Sequence, residues 1–390
     1  MFDSIRIGTS GLIGFSRGLQ TISNNVANLN TPGFKGSNTQ FSAFFSNGGN
    51  SAFSGQAGGQ IGSGLVVMPS AINFSQGQIN QTGNNLDAAI NGAGFFVLRS
   101  TSGQVLYTRN GQFKFDDKGI LVNANGDHVQ ALNAQGVLQD ISLTGLRTNS
   151  ASATSTINMN GSLSTADLNK TVGGVTVTDG AGGTHTLSVK FQNNTSVTPG
   201  SWLVTITDGA TTVGTGEVRF NSGLLDPAFS NVSFTYSPAG VAAMPLTLTL
   251  DSSATSSTTG ASSLAVSTIN GFGTGDLTQT VFDTDGHLVL KYSNGQISKN
   301  QVLALATFSS VNDLTEVNGN NFTSTNQQGV TLSVAKTGIS SISPDSTEAS
   351  NVDLSKEFSE IIITQRGYQA ASELISTANQ MLDTLIRMKG

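Results

Sequence analysis

The sequence predicts a mainly β chain with α-helical termini, a discontinuous multi-domain fold whose N- and C-terminal helices pair as a coiled coil, with the β domains in between. Three observations predict it. Near the N-terminus, Ile5, Leu12, Leu19 and Val26 recur every seven residues, and Phe15, Ile22 and Leu29 form a second heptad series. Near the C-terminus, Ala371, Leu374, Ala378, Met381, Leu385 and Met388 alternate in steps of three and four. Between the ends, period-two apolar runs are punctuated by Gly, Asn and Ser. A stripe spaced by threes and fours belongs to a helix that packs on another helix along a narrow seam. Each end therefore calls for a partner.

The first helix is expected from about residue 3 to Asn28. The Asn30-Thr31-Pro32-Gly33 cluster ends it, because Pro lacks a donor and biases the residue before it away from helix. Gly8, Gly11, Gly14 and Gly18 lie inside it. Each costs about 1 kcal/mol relative to Ala, roughly 4 together, and their spacing clears a strip where another backbone can approach. Such a helix is weak alone and orders against neighbours. Residues 36–71, rich in Gly, Ser, Asn and Phe, are expected to form an extended or weakly structured connector.

A β pattern begins near residue 72. Asn110-Gly111, flanked by Leu106–Arg109 and Gln112–Phe115, signals a two-residue hairpin. Near residue 149 a Ser/Ala/Thr linker leads into cleaner alternation: Leu187, Val189 and Phe191 share one strand face, Trp202, Val204 and Ile206 another, and Leu246, Leu248 and Leu250 a third. A small antiparallel sandwich or barrel is expected over 149–269. The earlier β pattern resumes from about 270 to 349, so residues 72–148 and 270–349 form one discontinuous β domain with the outer unit inserted. The terminal helical domain is 1–35 plus 350–390, its last helix capped by Asp353.

Composition narrows the function classes. Only 11% of the 390 residues are charged and 46 are Gly, with a net charge of −6. A polar, nearly neutral surface suits packing among identical copies and lacks the basic clusters that nucleic acid requires. Cysteine is absent, which removes disulfides and thiolate chemistry. Met1 to Leu12 carries Asp3, Arg6 and glycines where a signal peptide needs an apolar run. No stretch approaches the roughly 18 apolar residues of a membrane span. Export without a cleaved signal peptide is the expectation.

Catalytic and cofactor signals are weak. His128, His185 and His287 lie near β turns without metal-ligand spacing. Asp283-Thr284-Asp285-Gly286 echoes a calcium loop, but Asn294 stands where its bidentate Glu belongs. Gly271-Phe272-Gly273-Thr274-Gly275 lacks the strand-then-helix setting of a phosphate cradle. No enzyme activity, metal, cofactor or small-molecule substrate is expected.

The stretch Asn24-Asn25-Val26-Ala27-Asn28-Leu29-Asn30-Thr31-Pro32-Gly33-Phe34-Lys35 resembles the N-terminal signature of the bacterial flagellar rod and hook proteins. Gly94–Leu98 with Tyr107–Phe113 resembles that family's first β-domain motif, and Glu348–Leu354 with Gln365–Gln369 its C-terminal signature. The signature residues carried over are Asn25, Asn28, Thr31, Gly33, Phe34 and Lys35. Chain length, the inserted unit and the Asn300–Ala306 segment are similar to the hook members; the resemblance is weakest over 150–265.

That resemblance implies a structural subunit that is exported unfolded and polymerises into a flexible tubular joint carrying torque from rod to filament. It implies as partners further copies of the chain, the distal rod protein, the hook cap, the hook–filament junction protein, the type III export gate and the hook-length ruler. It places the subunit in the extracellular hook and basal body. The polymerisation interface is expected to use Ile5, Leu12, Phe15, Leu19, Ile22, Val26 and Leu29, set against Leu374, Ala378, Met381 and Leu385. Phe41 and Phe45 resemble the short aromatic motif that engages the export gate, with packing in the connector as the alternative. A distal rod (drive shaft) protein is the nearer rival, and a secreted β-sandwich adhesin the farther one, which leaves the terminal heptads without a role.

Overall fold

The computed structural model describes residues 2–46, 61–257, 260–335 and 340–389. The chain divides into two compact units and passes between them four times. Unit 1 holds 1–144, 280–289 and 298–390; unit 2 holds 145–279 and 290–297.

In unit 1, α1 (Phe2–Ala27) opens the chain and α2 (Leu354–Lys389) closes it. Asp353 caps α2: its Oδ1 accepts from the backbone N–H groups of Ser355 at 2.8 Å and Lys356 at 3.3 Å, satisfying donors that the helix start leaves open. The expected connector is extended where it is described. It supplies two long antiparallel strands, β1 (Ser37–Ser46) and β2 (Ile61–Ile72), in register Gln40↔Met68 and Ala43↔Leu65. These strands have a floor to pack on: Gly14 of α1 lies directly beneath Leu65, Val67 and Phe41.

The body of unit 1 is a ten-stranded sheet at whose centre Phe95–Arg99 pairs with Val105–Thr108. Leu305–Phe308, reached only after the passage through unit 2, pairs with the same central strand at Leu305↔Phe96. Phe95, Val97, Tyr107, Ala306 and Phe322 form its buried core. Aromatic edges meet faces there, with Tyr107 and Phe308 centroids 4.8 Å apart at 86°, a geometry favoured by the ring quadrupoles.

Asn110-Gly111 makes no two-residue hairpin. Val105–Thr108 pairs with Phe95–Arg99 and with Asn321–Ser324, whereas Lys114–Phe115 pairs with Leu121–Val122. The dipeptide is instead a crowded bend. Asn110 Oδ1 accepts from Gln112 N–H, and Gly111 C=O accepts from Ala88 N–H at 3.0 Å.

Unit 2 is built on a seven-stranded and a four-stranded sheet. The expected alternation holds strand by strand: Leu187, Val189 and Phe191, then Trp202, Val204 and Ile206, then Leu246, Leu248 and Leu250 are all buried in one core. The expectation of a wholly antiparallel unit does not hold. Thr156–Asn160 runs parallel to Met244–Leu250, and Ser162–Ser164 parallel to Thr255–Ser257. Strands so far apart in sequence are free of hairpin turns, which is what parallel pairing requires.

Candidate functional site

The chain termini meet as an antiparallel helix pair. Gly11 faces Ala371, Phe15 faces Gly367, Gly18 faces Thr364, and Asn25 bonds Glu357. A Cβ at Gly8 would stand 2.6 Å from Ile375 Cγ1, and one at Gly11 3.3 Å from Ala371 Cβ. The small residues set the closeness of the pair. On α2 the buried series is Glu357, Thr364, Ala371 and Ala378, a heptad of mostly small side chains.

This seam differs from the expected one. Phe15 and Ile22 lie on it and Ala378 is buried, but Ile5, Leu12, Leu19, Val26 and Leu29 are half-buried beside it. Leu374, Met381 and Leu385 are exposed at 47%, 49% and 50%, and Met388 at 80%. Glycine and alanine bring the backbones together, so the large side chains are displaced to the flank. At 3.6 residues per turn Leu374 and Met381 lie roughly 60° round from Ala371 and Ala378. The a/d pattern is thus two adjacent stripes, Leu374, Met381 and Met388 beside the buried one, while Leu385 continues the buried heptad beyond the reach of α1.

Below the pair, the six signature residues gather at one junction. Asn25 joins three elements: its Nδ2 donates to Ser37 C=O at 2.9 Å and Glu357 Oε1 at 3.1 Å, while its Oδ1 accepts from Ser37 N–H at 2.9 Å. Asn28 Nδ2 donates to Asn24 C=O, and Thr31 Oγ1 donates to Asn28 Oδ1, closing the end of α1. Gly33 has φ +71° and lies against the Asn110 backbone, where a side chain would be both strained and blocked. Its N–H donates to Glu348 C=O at 2.7 Å. Phe34 is buried, and its C=O accepts from Asn351 N–H at 3.4 Å.

Lys35 completes a buried ionic node. Its Nζ donates to Glu348 Oε1 at 2.5 Å and Ser75 C=O at 2.8 Å. Arg109 approaches Glu348 Oε2 at 3.2 Å from the other side, donates to Gly92 C=O at 2.8 Å and stands over the Phe95 ring. Gly77 N–H also donates to Glu348 Oε1. The Glu348 side chain is fully buried between two cations. Burial pushes the Lys35 ammonium and the Arg109 guanidinium down from their ordinary values, while the Glu348 charge works against that shift. Such a node is costly to bury and much costlier to break.

Glu348, Arg109 and Asn351 fall within the motif segments but are not among the sequence-predicted site residues, and neither is Glu357. For Arg109 and Glu348 the signal is rarity: in a chain with 11% charge, a lone Arg or Glu inside a β motif has a partner. Glu357 is buried, its Oε2 has no partner, and burial pushes its carboxyl up against the opposing Asn25 hydrogen bond. Phe41 packs on Phe15, with centroids 6.0 Å apart, and stays 43% exposed. Phe45 lies further along β1, its side chain outside the described residues. His128, His185 and His287 each sit against one aspartate, Asp140, Asp179 and Asp283. Among the described residues no cluster of metal-ligating side chains occurs.

Terminal helices keyed through a polar junction into a discontinuous β body define this chain as a flagellar axial protein. Three family models agree: the flagella basal body rod protein over residues 5–35, the flagellar hook protein FlgE/F/G D1 domain over 89–182, and the flagellar basal body rod FlgEFG protein C-terminal region over 344–388. The chain belongs to the flagellar hook protein family: it is 33% identical to flagellar hook protein FlgE of Escherichia coli K12 over 97% of this chain and 98% of that one. It is 29% identical to that of Treponema pallidum and 28% to that of Rhizobium meliloti, each across 100% of this chain and, respectively, 100% and 99% of theirs. The crystal structure of Helicobacter pylori flagellar hook protein FlgE2 shares the fold, with a TM-score of 0.50 at 12% identity over 67% of this chain and 98% of that one. As a member of the family this chain is a structural subunit of the flagellar hook. The full-length relatives are hook proteins, which leaves the distal-rod reading with less support.

Proposed function

We propose that copies of this chain polymerise through their terminal helices into a tube that serves as a flexible universal joint, carrying motor torque from rod to filament. One observation carries the proposal. The helix pair buries its small residues internally and leaves Leu374, Met381, Leu385 and Met388 exposed, a stripe far too apolar for a finished surface. In this reading residues 1–35 and 350–390 form the inner tube, 36–71 connect it, and 72–148 with 270–349 form the wall. Residues 149–269 form the outer unit, which slides against its neighbours. Ile5, Leu12, Leu19, Val26 and Leu29 line the subunit contacts of the tube with the free α2 stripe.

The same proposal takes the distal rod protein, hook cap, hook–filament junction protein and hook-length ruler as partners, and gives the chain no catalytic role. Export proceeds through the type III gate without a cleaved signal peptide, with Phe41 and Phe45 engaging the gate before folding. Secretion assays of Phe41→Ala with Phe45→Ala test that point, and normal export rules it out.

Electron microscopy of the purified polymer tests the main proposal. A curved, supercoiled tube supports a joint, and a straight one supports a drive shaft. Limited proteolysis adds a second measure: termini cleaved in the monomer and protected in the polymer support assembly through the helices.

A further inference from the structure

The helix pair presents an apolar groove on one side and a half-buried apolar ridge on the opposite one. One side carries the β1–β2 hairpin. Ser10 Oγ accepts from Leu65 N–H at 3.1 Å, and Gly14 lies under Leu65, Val67 and Phe41. Leu12 is two residues from both Ser10 and Gly14, about 200° round the helix, so it points away from the hairpin. Ile5, Leu19 and Val26 recur at heptad spacing on that same far side. The polar residues between them are Thr9, Ser16 and Ser23, and none is charged.

On the hairpin side lies a groove of about 530 Å³. Gly8, Gly11, Gly367 and Ala371 form its floor, Phe41 and Leu374 its rim, and none of its lining residues is charged. A ridge of branched side chains on one face thus has its counterpart in an apolar trough on the other, where glycines and alanines lie between Ile7, Phe15, Leu65 and Leu374.

We propose that two consecutive members of the Ile5–Leu12–Leu19–Val26 ridge of one copy, about 10 Å apart, seat in the hairpin-side groove of the next. The inference rests on the polymer reading and adds which faces meet. The occupant is a second copy because both surfaces belong to this chain and match in charge as well as shape. Neither carries an ion that contact would strip of water, and ridge-into-trough packing buries the apolar area each leaves open. Ridge and groove are different patches. The contact is therefore heterologous, and it propagates from copy to copy where a two-fold pair would stop.

The absence of cysteine makes the test direct. Leu19 is level with Ile363 in the antiparallel register, eleven residues short of Leu374, so the two are separated by about 16 Å along one copy. A disulfide or a bismaleimide shorter than that span therefore joins Leu19→Cys to Leu374→Cys only between copies. Val26→Cys with Leu374→Cys provides a second register, more widely separated still. In assembled polymer, at least one double variant is expected to give a covalent ladder of dimers, trimers and higher species, while each single variant stays monomeric on a denaturing gel.

Single-cysteine dimers that stop at two overturn the inference in favour of a two-fold contact. Microscopically intact polymers of every double variant without a ladder also overturn it, assigning the groove to some other occupant. Failure of the unsubstituted chain to polymerise removes the polymer reading itself, and the inference with it. Ala370→Leu, at an exposed position lining the groove, supplies an independent measure. Polymer yield is expected to fall roughly tenfold or more through overfilling with monomer melting unchanged, and an unchanged yield counts against the proposal.

Discussion

The terminal helix pair and unit 2 solve the burial problem in opposite ways. Unit 2 places Trp202, Phe191, Leu248 and their neighbours in a core whose principal side chains are almost wholly enclosed. The helix pair encloses chiefly small and polar residues together with Ile22, and holds Leu374, Met381, Leu385 and Met388 outside. Burial of large apolar groups is what supports a domain alone, at about 1.5–3 kcal/mol for each such side chain. Unit 2 has that support within one chain. The helix pair leaves Leu374, Met381, Leu385 and Met388 uncovered within one chain, and under the polymer proposal another copy completes that burial.

The largest expected effect lies in unit 2. Trp202→Ala should cost about 3–5 kcal/mol, read as a fall in the urea midpoint of the fragment 145–279, the longer segment of unit 2, by circular dichroism. A fragment that does not unfold cooperatively would end the contrast, because unit 2 would then depend on its surroundings too. Next comes Glu348→Ala, which leaves Lys35 and Arg109 buried without their anion and should destabilise unit 1 by about 3–5 kcal/mol. Calorimetry should show that loss in one transition while the transition of unit 2 keeps its midpoint. Gly33→Ala follows, at no less than about 1–2 kcal/mol from the left-handed backbone alone, again confined to unit 1.

Acid should separate the regions by sign. The Glu357 carboxyl is held above its ordinary 4.5 by burial, so the folded state binds a proton more tightly than the unfolded one. Its unfavourable contribution at neutral pH is relieved as pH falls through the raised value toward 4.5. Asp179 is held below its ordinary 3.8 by hydrogen bonds from His185 and from the Gly183 and Ala181 backbone. Its contribution to unit 2 is intact above 3.8 and is lost as pH falls through the depressed value. Glu357→Gln should abolish the first slope and leave the second, measured by amide exchange in α2 and in Thr184–Asn193. The smallest effect is expected at the free stripe. Leu374→Ser or Met381→Ser should move monomer stability by no more than about 0.5 kcal/mol while polymer yield collapses.

The difference between the regions also governs what was legible in the sequence. In unit 2, period-two alternation assigns one face to the core, and Leu187-x-Val189-x-Phe191 went where alternation placed it. Strand order is another matter: alternation carries no information on which strands pair, and the parallel pairing of Ile157 with Leu248 was invisible. At the ends, the heptads of α1 and α2 located both helices, and the glycines marked a close approach. The identity of the seam was hidden because hydrophobic pattern favours large side chains, whereas the helices here approach at glycines, with Gly8 against Ile375, Gly11 against Ala371 and Gly367 against Phe15. Asn110-Gly111 carried a turn signal, but the dipeptide is occupied by contacts with Gly33 and Ala88, residues remote in sequence. The same remoteness concealed the Lys35–Glu348–Arg109 node.

The node also imposes an order in time. Lys35 and Glu348 are 313 positions apart, so the contact that fastens the start of the chain is made by residues near its finish. Contacts of such long range are slow to form. A chain stopped before Glu348 would hold two cations facing an empty place and could not dry that interior. The node therefore locks only when two stretches of chain 313 positions apart are both present.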